Sequence, residues 1–439
     1  MEDPRLSRMY LALIMQAFAR IRRKLWHATV MRSGMVTMIV LTLMLMVLAF
    51  GWHEHRLGQF SQLKKELKKV PLEPETSTMR PGGQEVILLQ RSQFGGESGP
   101  EFLSATLLPG RGMNVLQITA YLPDRGEVSL LASPTLGEAN RLMNGTGADA
   151  AGAKSLEIGG AIEVPWAGRI SGLASADGAD LTTTWHGRRL SLPVVGEEAT
   201  ATGGLLLKRA SVTQNSNVMP DGGEAKVTFH AGDFDGHWLS QTDVTTTVVL
   251  SGRTIEMTVQ ARNTGTEAEP MGIGWRPRFA ILSGNRGQAT LRLPIADRAV
   301  VTDRRSGLPD GRLVPVAGTE YDFTGRKGAP LGSLSLNDCF VHLKQAFMDI
   351  GPVAELRDPH SDYGLRITAM SKNIKVMRVY APAGANFVSI DPQFNFDDPF
   401  GREWANEDNG MVVLQPGQAV QWKIRLEIFS LTQSDSQQL

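Results

Sequence analysis

Residues 254–263 read TIEMTVQARN. Ile255, Met257 and Val259 alternate with Glu256, Thr258 and Gln260. That period of two puts the apolar set on one face of a half-buried strand. The same pattern continues outward. On the C-terminal side lie QATLRLP (288–294), HLKQAFMDI (342–350), LRITAM (365–370), IKVMRVYAP (374–382), NFVSIDP (386–392), GMVVLQP (410–416) and AVQWKIRLEIF (419–429). On the N-terminal side lie EVILLQRS (85–92), MNVLQITAYL (113–122), VSLLAS (128–133), LTTTWHG (181–187), LSLPVV (190–195), AKVTFHA (225–231) and DVTTTVVL (243–250). These are strand lengths, and Gly, Asn, Asp or Pro separates most of them. The chain's 46 glycines and 23 prolines supply the turns that an all-β protein needs. No βαβ alternation and no repeat of fixed period appears. The strand-rich region, 85–433, exceeds the usual ceiling for one compact core. The expected architecture is therefore a long pair of antiparallel sheets rather than a closed barrel.

Upstream the composition changes. Residues 33–52, SGMVTMIVLTLMLMVLAFGW, are 20 in number and carry no charge, and a bilayer core is crossed by roughly 20 apolar helical residues. One transmembrane helix is expected there. Arg20, Arg22, Arg23, Lys24 and Arg32 precede it, so residues 1–32 are expected in the cytoplasm and the remainder outside it. Residues 53–84 form a stalk with Leu57, Phe60, Leu63 and Leu67 at helical spacing, then a Pro-rich linker. Residues 434–439 are a polar tail. The expected location is single-pass in a bacterial inner membrane, with the large domain periplasmic.

Lys plus Arg and Asp plus Glu both number 45, so no basic excess speaks for nucleic acid. A single cysteine, Cys339, excludes an intrachain disulfide. No P-loop, dinucleotide fingerprint, HExxH or nucleophile elbow is present. Asp233-Phe234-Asp235-Gly236-His237 opens like a calcium loop, but its twelfth position is Val244, which lacks the bidentate acid. No metal or cofactor is implied.

Three further stretches stand in order: GGAIEVPWAGRI (159–170), PMGIGWRPRF (270–279) and FVSIDPQFNFDDPFG (387–401), the last continuing into GMVVLQPGQAVQWKIRLEIF (410–429). Together they resemble the aldose 1-epimerase (galactose mutarotase-like) family over roughly 86–429. The resemblance implies a β-supersandwich fold, a monosaccharide or glycan as partner, and mutarotation as the activity. In that family a GG-x-P-x-x-GR segment supplies an arginine to the sugar pocket, here Arg169. A V-x-IEP-x-TN segment supplies a glutamate, here Asp391, whose reach is shorter by about 1.5 Å. A GWHPYF-like segment supplies a histidine, here Arg276, which holds its proton at neutral pH. A second family histidine corresponds either to Gly203 or to His186. A D-x-x-F aspartate falls on Asn337, or on Asp338 if the strand shifts by one. Trp166 and Trp275 are candidates to stack on a sugar ring.

Two readings follow from the resemblance. In the first, an anchored epimerase uses Asp391 as base, and Arg276 polarises the ring oxygen. In the second, a catalytically inactive member binds envelope carbohydrate, or serves as an envelope scaffold.

Overall fold

The computed structural model describes Met44, Met46 and residues 79–91, 99–195, 200–302 and 306–432. The chain divides into two compact units, Met1–Ser77 and Thr78–Leu439. In the first, Met44 and Met46 are helical. The remainder of the expected span, the cytoplasmic segment, the stalk and the tail 434–439 lie outside the described residues. No helix among the described residues is long and apolar enough to cross a membrane.

In the second unit, part of the expected linker is structured. Pro81–Gly83 forms a 3-10 turn. The Gln84 side chain then donates to Ser211 O at 2.7 Å and accepts from Ser211 N at 3.0 Å.

The unit is mostly β, and two large antiparallel sheets dominate it among the described residues. The first has twelve strands, and its main path runs Ile87–Gln90, Glu101–Leu108, Asn114–Leu122, Gly160–Glu163, Gly274–Pro277, Phe387–Gln393, Val376–Ala381, Leu336–Val341, Asp297–Val301, Pro309–Pro315. The second has nine: Thr213–Met219, Gly222–Gly232, Thr242–Leu250, Thr254–Asn263, Ala419–Phe429, Tyr363–Ala369, Val353–Asp358, Thr290–Arg292, Ala329–Pro330. Smaller ribbons accompany them, and the short helix Leu136–Leu142 packs Ala139 against Leu108 and Leu116. Thr135 caps that helix, its hydroxyl accepting from Glu138 N at 3.3 Å.

Thr254–Asn263 pairs on one side with Thr242–Leu250 and on the other with Ala419–Phe429. Ile255, Met257, Val259 and Ala261 are buried, as the alternation requires. They join a core shared by both sheets, whose members run from Ile87 to Ile428. The second unit thus closes its core with its own residues. Trp422, on the second sheet, donates its indole N–H to Pro392 O of the first at 3.0 Å.

One expected strand is absent. Residues 342–350 form an irregular loop whose Phe347 is 100 % and Met348 86 % exposed. The chain leaves the first sheet at Val341, and among the described residues no strand of either large sheet pairs with the segment that follows. Seven-residue strands such as Thr213–Met219 and Pro309–Pro315 were not visible, because their faces do not alternate apolar with polar.

Candidate active site

Five strands that are neighbours in the first sheet build the site: Gly160–Glu163, Gly274–Pro277, Phe387–Gln393, Val376–Ala381 and Leu336–Val341. Alternation sends Ile162, Trp275, Ile390, Val379 and Leu336 into the core. It turns Glu163, Arg276, Asp391, Arg378 and Asn337 to the opposite face, away from the second sheet. Asp391 stands directly across from Arg378, and Cys339 flanks Arg378 on its other side. Above this face lies a cleft of about 570 Å³, whose wall includes Arg169, Arg276, Arg278, Asn337, Arg378 and Ser389.

A tight turn holds the entrance. Gly168 has φ 72°, and a Cβ there would stand 1.8 Å from Asp397 Oδ1. Its N–H donates to Glu163 Oε2 at 3.0 Å, and the next N–H, of Arg169, donates to Asp397 Oδ1 at 3.2 Å. Asn395 accepts from Ala167 N at 3.1 Å and donates to Ala167 O at 2.8 Å. Asp398 accepts from the N–H and hydroxyl of Ser171 at 2.9 and 2.6 Å. Two distant segments, 163–171 and 391–398, are thereby stitched side by side.

Beneath the cleft the charges alternate. Arg378 Nη1 is 3.3 Å from Asp391 Oδ2, its Nε is 3.2 Å from Asp397 Oδ2, and its Nη2 donates to Asn337 Oδ1 at 2.6 Å. Arg276 Nε lies 2.9 Å from Glu163 Oε1 and 3.7 Å from Asp391 Oδ2. The first contact is ionic rather than an aligned hydrogen bond, and Arg276 Nη2 has no hydrogen-bond partner. Burial pushes the Asp391 carboxyl above its usual range, against the pull of Arg276 and Arg378. Burial likewise raises Glu163, opposed by Arg276 and reinforced by Asp391.

Ser389 links Asp391 to the cleft. Its Oγ lies 2.5 Å from Pro277 O and 2.5 Å from Asp391 Oδ1. A hydroxyl has one proton, and Pro277 O can only accept. That proton can be given to Pro277 O or to Asp391 Oδ1, and the bond to Asp391 favours the ionised carboxylate, opposing the effect of burial.

The family model for aldose 1-epimerase matches residues 138–427. The chain belongs to the aldose 1-epimerase family. Its fold is that of solved members at low identity. A galactose mutarotase-like protein from Clostridium acetobutylicum superposes with a TM-score of 0.61 at 15 % identity, covering 79 % of this chain and 98 % of the other. The aldose epimerase homologue from C. elegans gives 0.58 at 16 %, covering 79 % and 98 %. Galactose 1-epimerase from Lactobacillus acidophilus NCFM gives 0.54 at 13 %, covering 79 % and 99 %. No curated protein sequence matches this chain.

Within this epimerase fold the expected site residues separate. Arg169, Arg276 and Asn337 line the cleft, and Asp391 lies buried just behind Ser389. Asp338 does not join them. One step along the strand, it points to the other face and pairs with Arg298 at 2.7 Å. Trp275 is core for the same reason, since its neighbour Arg276 takes the cleft side; its indole donates to Gly160 O at 3.2 Å. Trp166 is 1 % exposed and stacks on Trp238 at 5.5 Å. Neither indole can meet a sugar.

Gly203 borders the site: a Cβ there would lie 3.2 Å from Glu163 Oε1, and its N–H donates to Gly168 O at 2.8 Å. His186 sits at an exposed hairpin turn, stacked on Trp185 at 4.3 Å. Among the described residues no histidine lines the cleft. Asp233 and Asp235 of the calcium-like stretch serve a turn and an ion pair with Arg209 at 2.7 Å.

Glu163, Arg378 and Ser389 are the residues that sequence reasoning missed, and Asp397, which a turn before Pro399 would explain, binds Arg378 and the Arg169 N–H. Glu163 and Arg378 had a signal: each is a lone charge within an otherwise apolar strand, GAIE and VMRVYA. Ser389 had none.

Proposed function

We propose that this cleft opens and recloses the ring of an aldose, with Asp391 as the proton carrier. The observation that carries the reading is Asp391 itself, a buried carboxyl joined to the cleft through the Ser389 hydroxyl. In mutarotation a base removes the proton of the anomeric hydroxyl, C1=O forms, and the C1–O5 bond breaks with its electron pair going to the ring oxygen. That oxygen takes up a proton, the carbonyl face turns, and the reverse steps close the ring. Ionised Asp391 would draw the anomeric proton through Ser389. The Arg276 guanidinium would donate a hydrogen bond to the ring oxygen, whose proton then comes from water, since a guanidinium keeps its own. Arg169 and Asn337 would hold hydroxyls.

Polarimetry on α-glucose and α-galactose tests this. Relaxation accelerated by the protein and abolished by Asp391→Asn supports an epimerase. A second reading, carbohydrate binding without turnover, is favoured by the absence of a histidine from the cleft among the described residues. It predicts calorimetric sugar binding with no acceleration. Because both candidate tryptophans are buried, intrinsic fluorescence is a poor reporter of either.

The proposal extends to place. Residues 33–52 would anchor the chain in a bacterial inner membrane with the epimerase domain outside the cytoplasm, supported by 20 uncharged residues behind a basic flank. Labelling of an engineered cysteine in the domain by an impermeant reagent in intact spheroplasts checks the orientation.

A further inference from the structure

The loop 342–350, which follows the strand Leu336–Val341, carries an unusual pair. Asp349 N donates to Ala346 O at 3.1 Å, closing a turn with Phe347 and Met348 at its tip. The turn is tied down: Lys344 N donates to Pro294 O at 2.7 Å, and the Gln345 side chain donates to Asp349 O at 2.5 Å. Phe347 is 100 %, Met348 86 % and Ile350 58 % exposed. A fixed turn with an aromatic ring and a thioether fully in water leaves apolar area uncovered.

Beside it, on the open face of the second sheet, is a depression of about 430 Å³. Met348 and Ile350 form one wall, and the floor is arginine-rich. Arg292, Arg357 and Arg366 lie 3.3, 2.8 and 2.9 Å from a single buried carboxylate, Glu355. Three guanidinium charges on one carboxylate leave an excess of positive charge. Arg326 and Arg425 also line the depression, with Asp349 and Glu427, and Arg425 is paired with Glu256 at 2.7 Å, so the surplus rests on the three guanidinium groups around Glu355. The chain as a whole is balanced at 45 against 45, so this excess is local. Lys344 adds another cation at the base of the turn.

An apolar tip beside surplus guanidinium is complementary to one surface, in which apolar chains lie beneath a layer of phosphates. We propose that this face docks on an anionic phospholipid bilayer, with Phe347 and Met348 entering the headgroup boundary and the arginine depression receiving a lipid phosphate. Guanidinium suits phosphate by its paired N–H donors.

The test is cosedimentation of the second unit, Thr78–Leu439, with vesicles. That unit has its own core, and the apolar stretch 33–52 is then absent. Vesicles are phosphatidylcholine alone, or with about a third phosphatidylglycerol. Binding to the second and not the first is expected. The double variant Phe347→Ser, Met348→Ser should bind at least about tenfold more weakly with its thermal midpoint unchanged, since both side chains are exposed. Arg292→Gln and Arg326→Gln should each weaken binding by about fivefold. The proposal fails if the unaltered protein stays in the supernatant with anionic vesicles, or if the double variant binds as tightly. It fails too if the unaltered protein is dimeric and the double variant monomeric, for the tip would then meet a second copy of this chain.

Discussion

Arg378 is 2 % exposed and touches Asp391, Asp397 and Asn337 at once. Removing it would take the ion-pair partner from buried Asp397 and leave Asp391 only the more distant Arg276, and breaking such a pair costs about 3–5 kcal/mol. Arg378→Met is expected to lose stability of that order in urea unfolding. Arg276, with 12 % of its side chain exposed, is reachable by water, so Arg276→Lys should cost far less stability while lowering mutarotation. The pH profile bears on Asp391. As base it must be ionised, so activity should fall as pH drops through its pKa. Because burial raises that pKa, the acid limb should lie above the ordinary Asp value of about 4. Ser389→Ala should lower turnover by about 10²-fold or more by cutting the relay, without unfolding the strand. A rate-versus-pH series on the three proteins checks both points.

Elements matter here because the site borrows residues from strands that are adjacent only in the sheet. Phe387–Gln393 contributes Ser389 and Asp391 outward, while Pro392 faces the core and accepts from Trp422 of the other sheet. Trp422→Phe keeps most of the packing and gives up that hydrogen bond, so it should cost about 1 kcal/mol. Trp422→Ala should cost about 3–5 kcal/mol through the cavity it opens. Chemical denaturation of the two variants separates these contributions. Alternation along strands also explains which sequence expectations survived folding. Ile255, Met257 and Val259 needed only local periodicity to be assigned inward. Trp275 beside Arg276, and Asn337 beside Asp338, are neighbours in the chain that must face opposite ways. Both members of such a pair cannot line one cleft. Gly168 shows the reverse case: its place in GR was legible, but its closeness to Asp397 was not.

At the scale of the whole molecule, pH acts on stability through buried carboxyls as well as through the site. Glu269 is 0 % exposed, accepts from the Thr242 hydroxyl at 2.9 Å, and leaves Oε1 without a partner. Burial lifts its pKa to about 7, opposed by the Thr242 bond. The folded state therefore holds this proton to higher pH than the unfolded chain does. Between about pH 4.5 and 7 the native state binds more protons, so this group makes stability fall as pH rises through that window. Above it the loss levels off at about 3 kcal/mol. Glu269→Gln should remove that slope and be the more stable protein at pH 8, as a thermal-melt series from pH 4 to 8 would show. The sequence by itself determined the all-β class, the family, and the set of segments from which the site is made, because alternation and turn residues act over a few neighbours. Only the tertiary structure decided that Gly203 and not His186 borders the site, that Glu163 and Arg378 complete its charge, and that Asp391 reaches the cleft through Ser389. Those facts depend on which strands lie side by side and which atoms lose water, and both are set by contacts between residues distant in the chain.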